Sequence, residues 1–227
     1  MKSLNSAATA RILLFGLMIF MTSCSKETTI GNGTGLGTNK NTDQTYNEIM
    51  SLPKDSLNAG EISSLLFTRE EEKLARDVYV FLFNKWQIQI FQNISESEQN
   101  HMNAILILLN KYQLNDPASG NPSGVFLDQR LKTLYDQLTT EGSISPLYAL
   151  KVGALIEDLD IYDIQTAGNH VDNQDIKFVY DNLSKGSRNH LRSFYSNILS
   201  NNGTYSPVYI SRELFEQIVS SPKEQGY

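Results

Sequence analysis

Cysteine is nearly absent: Cys24 is the only one in 227 residues. No intrachain disulfide can form, and neither a thiolate zinc site nor an iron–sulfur cluster has its ligands. Clustered positive charge is missing too. The chain carries 19 Lys and Arg against 25 Asp and Glu, a net charge of -6. Nucleic acid is thereby excluded as the main partner, because neutralising phosphates needs cations. No glycine-rich phosphate loop of the Walker or dinucleotide type occurs. No stretch alternates apolar and polar residues as a half-buried strand does. What is present, 40% hydrophobic and 19% charged residues, suffices for a packed helical core.

The first residues read as an export signal. Lys2 and Arg11 precede the apolar run Ile12–Met21, which is too short to span a bilayer. The run ends in Met21-Thr22-Ser23-Cys24, similar to a bacterial lipoprotein cleavage site. Residues 1–23 are expected to be a lipoprotein signal peptide and Cys24 the lipidated residue. Ordinary signal cleavage beside a chance cysteine is the alternative. Cleavage removes two cations and no acid, leaving 17 Lys and Arg against 25 Asp and Glu, a net charge of -8. Acyl chains on Cys24 would give a firm anchor, at roughly 0.8 kcal/mol per buried methylene. Residues 24–56, rich in Gly, Thr and Asn, read as a flexible tether. The expected location is the cell envelope, outside the cytoplasm, with the membrane as a partner through Cys24.

Residues 57–220 read as helices. Their expected spans are 63–86, 91–112, 128–140, 145–164 and 172–199, followed by a tail that folds back through Tyr205, Tyr209, Leu214 and Phe215. Ser145 and Pro146 supply an N-cap and a first-turn proline. Four long helices, with one short helix in the connection of about 30 residues between the second and third long ones, make an all-α four-helix bundle. A long crossover there is what ferritin-like bundles use.

Each long helix has an apolar stripe interrupted by polar residues near its middle. Glu72 interrupts Leu65, Ala75, Tyr79, Leu82 and Trp86. Glu98 and His101 fill gaps among Phe91, Ile94, Ile105, Leu108 and Tyr112. Glu157 and Asp160 lie with Leu150, Gly153 and Ile164, and Ser187 and His190 lie with Ile176, Val179, Leu183, Phe194 and Ile198. Any one of these has an ordinary reading as an ion-paired or hydrogen-bonded core residue. Together they form the pattern in which facing helices project carboxylates and imidazoles onto metal ions. That donor set suits iron or manganese. His170, in the Gly168-Asn169-His170 connector, lies off every stripe.

These residues carry a resemblance. Glu72-x-x-Ala75-Arg76-x-x-Tyr79 and Glu98-x-x-His101 resemble the first- and second-helix signatures of rubrerythrins. Glu157 and Asp160 resemble the third-helix pair, with Asp in place of a second Glu. Ser187-x-x-His190 stands in the place of the fourth-helix Glu-x-x-His. More closely, REEEKLARDVY, SEQNHM, ALKVGALIEDLDIYD and GSRNHLRSF are similar to the ferritin-like family known as Domain of Unknown Function 2202. The resemblance implies a ferritin-like bundle with a di-metal site and no established activity. Its expected ligands are Glu72, Glu98, His101, Glu157, His190 and Asp160, holding one or two iron or manganese ions. Tyr79 and Ser187 are the residues expected behind the ligands, Tyr79 as a hydrogen-bond donor. Ser187 departs from the pattern, since a hydroxyl is a poor ligand for a hard divalent ion. Arg76 and Arg188 could hold the acids from behind or form surface ion pairs. The expected chemistry is redox on dioxygen, peroxide or ferrous iron, without a built-in rubredoxin-like domain. The alternative is a non-catalytic helical lipoprotein whose acids and histidines satisfy one another.

Overall fold

The computed structural model describes residues 40–225, with side chains from residue 43, and all regular structure among them is helical. The helices are α1 (Lys40–Ser51), α2 (Ala59–Trp86), α3 (Gln89–Tyr112), α4 (Gln129–Gly142), α5 (Pro146–Gly168), α6 (Gln174–Ser200) and α7 (Arg212–Ser220). The expected signal peptide and residues 24–39 of the expected tether, Cys24 included, lie outside the described residues.

Local chemistry sets the helix ends. The Asn58 side chain accepts from the Glu61 amide while the Glu61 side chain accepts from the Asn58 amide, a reciprocal cap that starts α2 four residues before the expected Ser63. Ser145 caps α5, whose first residue is Pro146. Asp128 and Ser211 cap α4 and α7.

Helices α2 and α3 pack along each other as a hairpin, and α5 and α6 form a second. Contacts of α3 with α6 and of α2 with α5 close the two hairpins into a four-helix bundle. The expected stripes face inward: Leu65, Tyr79, Leu82, Phe91, Ile105, Leu108, Leu183, Phe194 and Ile198 are inaccessible to solvent. The core has two apolar clusters. One gathers around Tyr79, Phe91, Leu150 and Phe194, the other around Leu65, Ile105, Leu108, Ile176 and Leu183. Buried Glu72, Glu98, His101, Glu157, Asp160 and Ser187 belong to neither.

The crossover from α3 to α5 lies on α2 and is pinned by charge. Arg69 holds Asp116 through two N–H groups at 3.0 and 2.9 Å. The Glu70 carboxylate accepts from the amides of Leu127 and Asp128. Lys73, 1% exposed, donates to Asp77 and to the Pro122 carbonyl and lies over the Phe126 ring. The Gly124 amide donates to Asp77.

The tail folds back, as expected, onto α5. Asp158 accepts from Tyr205 Oη at 2.8 Å and from the amides of Val208, Tyr209 and Ile210 at 2.5, 3.3 and 2.9 Å. One departure from expectation is at the start. Residues 40–51, inside the expected tether, form α1, which packs on α3 and α6 with Ile49 fully buried. Lys111 of α3 explains the docking: it donates to the carbonyls of Ile49, Leu52 and Pro53 at the end of α1 and pairs with buried Asp175 at 2.7 Å.

Removing Asp158 would leave four donors without their acceptor. Asp158→Ala is expected to cost about 3 kcal/mol in urea unfolding. Asp136→Ala, which removes an exposed partner of Lys132, should stay within about 0.5 kcal/mol. Equal costs for the two would contradict the anchoring role.

Candidate metal centre

Four helices bring the polar interruptions together. Glu72 comes from α2, Glu98 and His101 from α3, Glu157 and Asp160 from α5, and His190 from α6. Two groups form, Glu72 with Glu98 and His101, and Glu98 with Glu157 and His190, each with ligand atoms within 4.8 Å of one another. Glu98 belongs to both. Its Oε2 lies 2.7 Å from His101 Nδ1 and its Oε1 lies 2.8 Å from His190 Nδ1. The outer members are Glu72 Oε2, 3.2 Å from His101 Nδ1, and Glu157 Oε2, 3.4 Å from His190 Nδ1. The two imidazoles stand 5.6 Å apart.

The orientation of these atoms is informative. Both oxygens of Glu98, Glu157 Oε2 and His190 Nδ1 are buried without a hydrogen-bond partner, despite the short separations. His101 Nδ1 aligns with Glu72 rather than with the nearer Glu98. Apart from that His101–Glu72 contact, nitrogens and oxygens converge without pairing with one another, as donors around a cation do. Fully buried carboxylates without hydrogen bonds are otherwise costly.

Positive charge to offset them is scarce. Glu71, Glu72, Glu98, Glu157 and Asp160 are each at most 3% exposed, and the imidazoles of His101 and His190 lie among them. Arg76 bonds to Asp77 and Gln99, and Arg188 to Glu224, so both turn to other partners. The residues present fit a hard divalent ion: carboxylate oxygens and imidazole nitrogens, no thiolate, and unpartnered lone pairs.

Neighbouring residues set the ring and carboxylate positions. Tyr79 Oη donates to Glu157 Oε1 at 2.5 Å. Its own ring sits against Phe91 and Phe194. Gly186 of α6 lies against the Nε2–Cε1 edge of the His101 ring. A Cβ there would come within 2.4 Å of Nε2, so the absence of a side chain is what admits the ring. His190 Nε2 is 3.0 Å from Ser97 Oγ, at the edge where 11% of the His190 side chain is exposed.

Two expected site residues are placed differently. Asp160 is buried beside the centre but in neither group. Ser187 is buried, yet its hydroxyl donates to the Leu183 carbonyl of its own helix at 3.2 Å. His170 is exposed, as its position off every stripe implies. Glu71 was not among the expected residues. The signal for it is its spacing with Ala75, Val78 and Leu82, a second inward row on α2.

Burial dominates the protonation of the group. It pushes Glu72 up to about 8 even with His101 adjacent, and it raises Glu157 against the opposing pull of His190. Asp160 is raised well above the ordinary carboxylate value by burial and then by Glu71, and Glu71 by burial and then by Asp163. Burial also opposes ionisation of Glu98, but His101 and His190 outweigh it and hold that carboxyl well below the usual range. For the imidazoles burial favours the neutral ring. Glu98 and Glu72 overcome it at His101, and Glu98 and Glu157 bring His190 to about 9.

Over residues 61–222 the chain matches the family described as Uncharacterized protein domain (DUF2202). It is 52% identical over 178 residues to the uncharacterized protein MJ0754 of Methanocaldococcus jannaschii, covering 78% of this chain and 96% of that one. It is also similar to the crystal structure of hypothetical protein MJ0754 from Methanococcus jannaschii. That match has a TM-score of 0.75 and 51% identity, and covers 76% of this chain and 99% of the other.

In chelator-treated protein the folded state holds protons on Glu71, Glu72, Glu157, Asp160 and both histidines that the unfolded chain has already released. Stability therefore falls as pH rises. For Glu72 the loss runs from 4.5 to about 8 and for His190 from 6.5 to about 9. Glu98 acts oppositely, its contribution being lost only in acid. The expected outcome is a Tm that declines steadily between pH 6 and 9, with a shallower slope in Glu72→Gln. A Tm that rises across that window would contradict the assignment.

Proposed function

The chain belongs to the DUF2202 family, and on the geometry of its buried centre we propose that it is a ferritin-like protein holding two iron or manganese ions. The observation that carries this reading is the sharing of Glu98, one oxygen toward each histidine, with neither oxygen hydrogen-bonded. Glu72 and His101 would hold one ion, Glu157 and His190 the other, and Glu98 would serve both. Two antiparallel hairpins joined by a long crossover support the ferritin-like assignment.

Bound iron or manganese would supply redox chemistry toward dioxygen, peroxide or ferrous iron as substrate. The chain's own residues do the rest. Tyr79 orients Glu157, and burial keeps its hydroxyl protonated as a donor. Phe91 and Phe194, like Tyr79 inaccessible to solvent, pack against its ring. Gly186 leaves room for the His101 ring. Asp160 adds negative charge close to the group without joining either triad. We further propose that the protein is exported and lipid-anchored through Cys24, so that the bundle works at the cell envelope.

A second reading has one observation behind it. The short imidazole–carboxylate separations can act as ion pairs when the rings are protonated, which would make the layer a metal-free structural network. Metal analysis separates the two. The purified protein is expected to bind two divalent ions per chain by elemental analysis, and Glu98→Ala to bind none with the fold retained by circular dichroism. Tyr79→Phe should weaken binding about 10–100-fold. Trace metal only, with no gain in Tm on adding ferrous or manganous ion, would overturn the proposal. Ferrous or peroxide oxidation assays on the loaded protein then test turnover.

A further inference from the structure

Not every acid near the centre has a task. Glu70 and Asp158, neighbours of the centre in sequence, spend their oxygens on loop and tail amides. Glu71 and Asp160 do not. Glu71 Oε1 and Asp160 Oδ2 are buried without any hydrogen-bond partner, in residues 3% and 2% exposed.

Their placement forms a sequence. Glu157, Asp160 and Asp163 follow one another at three-residue steps on α5, so they climb one side of that helix. Exposure grows along the series, from Glu157 at 0% to half-buried Asp163. Glu71 comes from α2, directly beside Glu72, and its carboxyl and that of Asp163 lie near enough across the α2–α5 contact to act on each other. Asp160 stands in the field of Glu71 on one side and of Glu157, Glu72 and Glu98 on the other. Arg130 also acts on Asp163, but it is held by Asp128 at 2.5 Å.

We propose that Asp163, Glu71 and Asp160 are the access route by which a divalent cation passes from solvent into the buried centre. The inference rests on the metal reading above. A divalent ion cannot shed its water into an apolar core. Hard cations instead exchange waters for carboxylate oxygens, and this series offers those oxygens at successive depths. The three residues are not themselves grouped closely enough to hold an ion among them, which suits passage rather than storage.

Stopped-flow mixing of the chelator-treated full chain with cobalt(II) tests this, with the visible absorption of the bound ion as the readout. Glu71→Gln and Asp163→Asn, each singly, are expected to slow uptake about tenfold or more, since each removes a carboxyl group that takes the entering ion in place of water, with release of its proton where burial holds one. The final stoichiometry and absorption spectrum should match the wild type. Asp163→Asn is half-buried and keeps the test available if Glu71→Gln unfolds the chain. Unchanged uptake rates would overturn the route. A fall in final stoichiometry would also overturn it, because the residues would then be ligands. Absence of uptake by the wild type is a separate result and would sink the metal reading itself.

Discussion

The constraint on which this structure depends is a layer of carboxylates closed off from water in the middle of a helical core. Each ionised carboxylate taken out of water carries a penalty of several kcal/mol unless charge of the opposite sign comes with it. The apolar part of the core is divided into two clusters, and the layer belongs to neither. A bundle built only for stability would place leucine at these positions. Its retention of Glu72, Glu98, Glu157 and Asp160, with imidazoles as the nearby positive groups, is understandable if cations complete the layer.

The surrounding chain is arranged so that other charges do not intrude. On α2 the string Arg69-Glu70-Glu71-Glu72-Lys73 divides its work by direction. Arg69, Glu70 and Lys73 face outward to fasten the crossover, while Glu71 and Glu72 face inward. On α5 the acids divide likewise. Asp158 fastens the tail, and Glu157 and Asp160 reach the core. The cations that could have neutralised the layer are occupied elsewhere, Arg76 by Asp77 and Arg188 by Glu224. Small residues on α6 complete the fit. Gly186 admits the His101 ring, and Ser187 turns its hydroxyl into its own helix.

Much of this was legible in the residues. The four inward stripes follow from helical periodicity, and the polar gaps in them identified Glu72, Glu98, His101, Glu157 and His190, which the structure brings together. Other features escaped for physical reasons. Helix α1 buries little besides Thr45 and Ile49, and a composition rich in Asn and Thr hides so short an apolar signal. The start of α2 depends on the Asn58–Glu61 cap, which lies upstream of the apolar pattern. Glu71 was obscured because α2 is buried on nearly every side from Thr68 to Ala75, so one stripe does not exhaust its inward residues. The contact between Ser97 and His190 depends on the relative rotation of α3 and α6, which periodicity within either helix does not contain.

The most direct measurement is a crystal structure of the protein soaked in manganous or ferrous ion, with anomalous scattering collected at the metal edge. The account predicts two anomalous peaks inside the bundle, one between Glu72 and His101 and one between Glu157 and His190, with Glu98 reaching both. A map with no peak in the polar layer, or with peaks only on surface carboxylates, would contradict it.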